Sequence, residues 1–333
     1  MSRLPLSPRG LSMTIKLRRR RRVSLAWATI LMAGLTAQPA GQGRAQSLSP
    51  SAAASDAGLV QAGPSTSSKK EFGRLIFADE FNAPSLDRRK WNVVGPKFWV
   101  NNEQQVYVDS PATIHFLPAG AVPGADGGVL VLQPRFSKSA AIRSGRPADF
   151  VSGRIDTRGK FQFTHGRAAA RIRMPDAAGV WPAFWLLGNN KWPRTGEVDI
   201  MEYVGEKDWV GVALHGPGYS GETPLVNKYF FEDGVDVTQW HIYSVEWSDR
   251  DMLFKVDDRT VYRATRPMVE NYGAWAFNQP KYLILNFALG GAYPFKTNGI
   301  KKPYNGVPAD TVKRIKAGEV TMEIDWVRVH SAD

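Results

Sequence analysis

The chain of 333 residues contains no cysteine. Disulfides, thiolate metal sites and cysteine nucleophiles are therefore excluded. Stability has to come from a hydrophobic core, and a domain of this size can bury one. Helical periodicity is also scarce: only Thr311–Lys316 predicts a helical turn. Acidic residues are missing from the first 45 positions, which carry nine arginines and lysines. Removing those nine lowers the net charge from +12 to +3, so the basicity belongs to one segment and does not mark a nucleic-acid surface. Nor is there a glycine loop of the kind that cradles phosphate; no nucleotide or redox cofactor is expected.

That basic segment predicts a secretory signal over residues 1–45. Lys16 to Arg22 form the charged region, Leu25 to Leu35 the apolar run, and small residues follow, with cleavage after Ala45 or Ala37. The apolar run is too short for a permanent membrane anchor. Residues 46–70 are rich in Ser, Ala, Gly and Pro, which predicts a flexible tether. The expected location is secreted or periplasmic.

Residues 71–333 read as one all-β domain. Short strand-like runs recur between Gly, Pro, Asn and Asp, among them Val129–Gln133, Gly159–Phe163, Ala168–Arg173, Phe184–Leu187, Val210–Leu214, His241–Glu246, Tyr282–Ala288 and Val320–His330. Many short strands with regular turns imply a sandwich or barrel. Eleven Trp and ten Tyr exceed what a core needs and suit a sugar-binding groove.

The chemistry concentrates in Gly196-Glu197-Val198-Asp199-Ile200-Met201-Glu202-Tyr203. Side chains at i and i+2 of a strand share a face, so Glu197 and Asp199 point the same way and Glu202 points opposite. A β-bulge near Ile200 or Met201 would bring Glu202 back, and bulges gather beside active sites. Glu197 and Glu202 would then stand roughly 13 Å apart along the backbone at about 3.3 Å per residue. Leaning side chains would leave about 5 Å between the carboxyl groups, the separation retaining glycosidases use. Three acids this close cannot all ionise freely, so at least one should hold its proton near neutrality. A solvated strand face accounts for one such acid, not for three converging beside Trp192 and Tyr203.

The pattern Glu-x-Asp-x-x-Glu resembles the signature of glycoside hydrolase family 16, in its bulged, bacterial laminarinase form. The resemblance runs from about Phe72 to the C-terminus. It implies a jelly-roll β-sandwich with an open concave cleft, Glu197 as nucleophile, Asp199 as the residue that tunes it, and Glu202 as acid/base. Gly179 to Gly188 resembles the segment before the family's catalytic strand. Trp181 and Trp185 share strand parity there; Trp181 is assigned to the groove and Trp185 to the core. By the same resemblance Trp192 lies near the catalytic sugar subsite, Asn102 borders the groove and His215 lies beside the carboxylates. Arg154, in Ser152-Gly153-Arg154, reaches substrate or braces a sheet. Gln279 and Asn286 are placed to offer amides to the concave face, Gln279 the better of the two. Asp325 matches an acid that helps hold a structural calcium in the family; the chemistry itself requires no cofactor.

The resemblance makes the expected partner a polysaccharide, and the expected enzyme a monomeric endo-β-1,3-glucanase acting with retention. Galactan hydrolases of the agarase and carrageenase type, mixed-linkage glucanases and transglycosylases work on the same residues. Non-catalytic glucan-binding relatives lose the catalytic glutamates, which this chain keeps.

Overall fold

Apolar residues at every second position form strand after strand. The structure, a computed structural model, describes residues 73–138 and 148–332, with 18 strands and three short helices. The expected signal and tether lie outside the described residues. Among the described residues no helix is long and apolar enough to cross a membrane.

Two large antiparallel sheets enclose the main core. The seven-stranded sheet runs, in spatial order, Leu225–Phe230, Trp209–His215, Glu197–Glu202, Val180–Gly188, Lys281–Leu289, Arg154–Asp156 and Asn92–Val93. The eight-stranded sheet centres on Gly166–Arg173 and Met322–His330, with Leu75–Asp79 paired to the latter. Phe184, Leu186, Val198, Val212, Leu283 and Leu285 of the first sheet meet Ile172, Tyr243, Val245, Phe254, Ile324 and Val327 of the second in one cluster. The strand pattern implied a sandwich or a barrel and the family resemblance a sandwich; the chain forms the sandwich. Phe184 is fully buried; truncating it to alanine would cost about 3–5 kcal/mol.

Two expected elements differ. Gly159–Phe163 is a turn that makes only one bridge, from Phe163 to Lys281, rather than a strand. The turn at Thr311–Lys316 extends into a helix, Ala309–Ala317, closed by Gly318 in the left-handed region and packed through Thr311, Val312 and Ile315.

Candidate active site

The functional face is set by strand parity and one irregularity. Along Val180–Gly188 the even positions Phe184 and Leu186 are buried, leaving Trp181, Ala183 and Trp185 on the other face. Asp199 pairs with Trp185 and Ala213, whereas Glu202 pairs with Ala183 and Gly211, so three steps on the central strand oppose two on its neighbours. The bulge sends Ile200 and Met201 both into the core and returns Glu202 to the face of Glu197 and Asp199. Gly196 makes the turn into this strand at φ +68°, and a Cβ there would lie 2.3 Å from the Ala276 carbonyl oxygen. Only glycine fits.

Each of the two glutamates accepts an indole N–H. Trp192 Nε1 donates to Glu197 Oε2 at 3.0 Å, and Trp181 Nε1 donates to Glu202 Oε1 at 2.9 Å. Among the described residues no arginine or lysine pairs with any of the three acids. Burial pushes Glu197 up to about 8, assisted by the charges of Asp199 and Glu202 and opposed by His215 and the Trp192 N–H. Burial likewise raises Asp199 to about 8. Glu202 is raised to about 8 by burial and by Asp199, against the Trp181 hydrogen bond and His215. The cluster therefore holds protons at neutral pH, which a general acid requires.

His215 lies opposite Glu197 on the next strand. Its Nε2 is 3.3 Å from Asp199 Oδ2 and 3.7 Å from Glu197 Oε1. Its Nδ1 accepts the Gly221 N–H at 3.2 Å, so the ring proton sits on Nε2 and faces the acids. Glu197, Asp199 and His215 bring one ligand atom each within 4.8 Å of one another. They do not fit a metal, because an Nε2 that carries hydrogen offers no lone pair.

The other expected residues divide. Trp181 and Trp192 are at the site, as N–H donors to the glutamates. Trp185, assigned to the core, lies instead on the site face: its Nε1 donates to Asn286 Oδ1 at 2.7 Å and its ring stacks on Arg154. Arg154 is buried, its guanidinium lying 4.2 Å from the Phe98 ring centroid and 4.8 Å from that of Trp185, and so braces the sheet. The amide on the site face is that of Asn286, which also donates to the Tyr107 hydroxyl. Gln279 is exposed on the loop before that strand. Asn102 sits at φ +55°, where asparagine is a turn former, and its carbonyl accepts from Gln104.

Asp325 does not fit calcium. Its carboxylate accepts the amides of Asp126 and Gly127 and pairs with Arg171. A guanidinium and N–H donors already neutralise it, whereas calcium needs oxygen ligands around it.

Two contributors were missed because their contacts are remote in sequence. The Tyr293 hydroxyl lies over Gly211, its ring meets Trp181 edge-on at 5.7 Å, and burial together with Glu202 raises its pKa. Lys281 is fully buried and donates to the carbonyls of Thr195 at 2.8 Å and Ala276 at 3.2 Å, clamping the turn that enters the strand Glu197–Glu202. Burial lowers its pKa to about 8. A lysine inside a strand pattern was the available signal.

A β-sandwich with paired carboxyls on one face of a bulged strand defines a glycoside hydrolase. The chain belongs to glycosyl hydrolases family 16, whose model matches residues 130–327. It is 34% identical over 249 residues to a beta-glucanase of Rhodothermus marinus, covering 71% of this chain and 82% of that one. It is 30% identical to glucan endo-1,3-beta-glucosidase A1 of Niallia circulans, covering 77% of this chain but only 37% of that longer protein. The fold is similar to the laminarinase catalytic domain of Thermotoga maritima MSB8, with a TM-score of 0.66 at 30% identity over 79% of this chain and all of that domain.

Proposed function

We propose that this chain is an exported endo-β-1,3-glucanase that cleaves laminarin-type polysaccharide with retention of configuration. The observation that carries the reading is the bulge at Ile200–Met201, which sets Glu197 and Glu202 on one face with Asp199 between them. The cluster reacts with a proton on Glu202 and none on Glu197: Glu202 protonates the departing glycosidic oxygen as the Glu197 carboxylate attacks the anomeric carbon and forms a glycosyl-enzyme. Glu202 then takes a proton from the water that releases the sugar. Asp199 positions Glu197 and shares proton density with it, and His215 Nε2 stands near both, 3.3 Å from Asp199 and 3.7 Å from Glu197. Similarity to the beta-glucanase and the laminarinase supports the choice of glucan.

The test is a product profile of residues 46–333 on laminarin, barley mixed-linkage glucan, agarose and carrageenan, with proton NMR of the first anomer formed. The reading expects short β-1,3-oligosaccharides, released as β-anomers, from laminarin above the others. Activity on a galactan alone, or α-anomers first, would overturn it. Export is tested by expressing the whole chain and sequencing the mature N-terminus, expected at Gln46 or Gln38.

A further inference from the structure

The face that carries the carboxylates continues outward for two more strands. Asp199 pairs with Ala213, and Ala213 with Val226; Glu202 pairs with Gly211, and Gly211 with Lys228; Trp209 pairs with Phe230. Directly paired residues of antiparallel strands share a face. Val226, Lys228 and Phe230 of the edge strand Leu225–Phe230 therefore look out on the same side as Glu202. Burial agrees: Leu225 and Tyr229 pack on the core, while Val226 is 56% exposed, Phe230 58%, and Lys228 is exposed.

This stretch has an unusual composition for an exposed surface. Two large apolar side chains flank a cation, and all three adjoin a polysaccharide-cleaving site. The Lys228 ammonium stands 3.7 Å above the Trp209 ring, and Trp209 is itself fixed by its Nε1–H to Glu206 Oε2 at 2.5 Å. The cation is thus held in place by a ring rather than by an acid. Other cations around this flank have carboxylate partners: Lys207 with Asp236, Arg259 with Glu232, Lys296 with Glu222. Among the described residues Lys228 has none within 4.0 Å. Its backbone is two strand spacings, about 10 Å, from that of Glu202. The intervening position is Gly211, where a Cβ would meet the Tyr293 hydroxyl at 3.3 Å and the Trp209 ring at 3.7 Å.

We infer that Val226, Lys228 and Phe230 form a flanking subsite for a sugar that carries an anionic substituent, a carboxylate or a sulfate ester. The apolar side chains pack on the sugar's CH face and Lys228 meets the negative charge. This deepens the glucanase reading and rests on it: the favoured substrate is an acidic β-glucan rather than a neutral one.

The experiment separates the two. Binding is read by gel retardation of the Glu197→Gln variant in neutral, carboxymethylated and sulfated laminarin at matched chain length and low substitution. Cleavage by the wild type on the same polymers is read in parallel. The inference expects retardation about 3- to 10-fold stronger in one or both anionic polymers at low salt, with the advantage lost near 0.5 M salt as the charge is screened. Whichever anionic polymer shows the larger advantage identifies the substituent. Adding Lys228→Met, which keeps a stem over Trp209 without the charge, should bring the anionic-to-neutral ratio to one, and Lys228→Arg should restore it. Equal retardation in all three polymers, or a ratio untouched by Lys228→Met, would overturn the inference. Absence of cleavage on every polymer would instead overturn the glucanase reading, while the retardation still decides the subsite.

Discussion

Asp199 and Asp325 are both strand aspartates with almost no exposed surface, yet their surroundings differ in one respect. Asp325 faces a guanidinium, Arg171, together with two backbone amides. Asp199 faces the Nε2 of His215 and two further acids. A buried acid matched to a permanent cation and two backbone amides has every partner supplied by the fold and serves the fold. One surrounded by neutral donors and like charges can change its protonation state, which costs stability and provides chemistry. The identity of the partner, more than burial, separates the two regions.

Substitutions can break that contrast, beginning with the largest effect. Glu197→Ala should lower turnover on laminarin by on the order of 10⁴-fold or more, with thermal unfolding and glucan binding retained. Substantial residual turnover would refute Glu197 as nucleophile. In the other region, Arg171→Met leaves Asp325 buried without its cation, at a cost of about 3–5 kcal/mol. Calorimetry should record a melting temperature lower by roughly 10 °C, and the additional change Asp325→Asn should recover much of it. An unchanged melting temperature would show that the guanidinium is not what neutralises Asp325.

A smaller effect sharpens the account of the indole donors. Trp192→Phe keeps a ring and removes the N–H to Glu197. A hydrogen bond to a charged acceptor contributes about 1.5–3 kcal/mol. Because Trp192 is 44% exposed, the lower end applies, and kcat should fall about 10-fold with little change in KM. A change confined to KM would make Trp192 a stacking platform only.

The smallest effect has the opposite sign. Glu202 has its pKa raised from 4.5 to about 8, so between those values the folded state binds more protons than the unfolded one. Stability should therefore fall as pH rises from about 4.5 to 8. Glu202→Gln removes the burden of ionising that buried acid and should stabilise the protein at pH 8 by about 1–2 kcal/mol, while flattening the pH dependence. Equal pH dependence in both proteins would contradict the raised value.

How much of this could be read from the chain depends on how local each cause is. The spacing of Glu197, Asp199 and Glu202 against a two-residue strand period requires the bulge, and its place at Ile200–Met201 followed from the aliphatic residues between the acids. Parity also put Trp181 and Trp185 on one face; assigning Trp185 to the core set that regularity aside, and the strand kept it. The role of Trp181 and Trp192 as N–H donors was less accessible, because an indole offers both a ring and a hydrogen and the sequence does not say which is used. Partner choice was not legible at all. Arg171 and Asp325 lie 154 residues apart, and the register that joins their strands depends on the whole sheet. The same holds for Lys281 beneath the Thr195 turn and for Tyr293 above Gly211.

Carbon-13 NMR titration of the Glu and Asp carboxyl groups tests the central contrast most directly. The account predicts carboxyl resonances that titrate near pH 8 in the wild type, at least one of them disappearing in Glu202→Gln. If every Glu and Asp carboxyl titrated below pH 6, the cluster would hold no proton at neutral pH, and the assignment of Glu202 as the acid would be wrong.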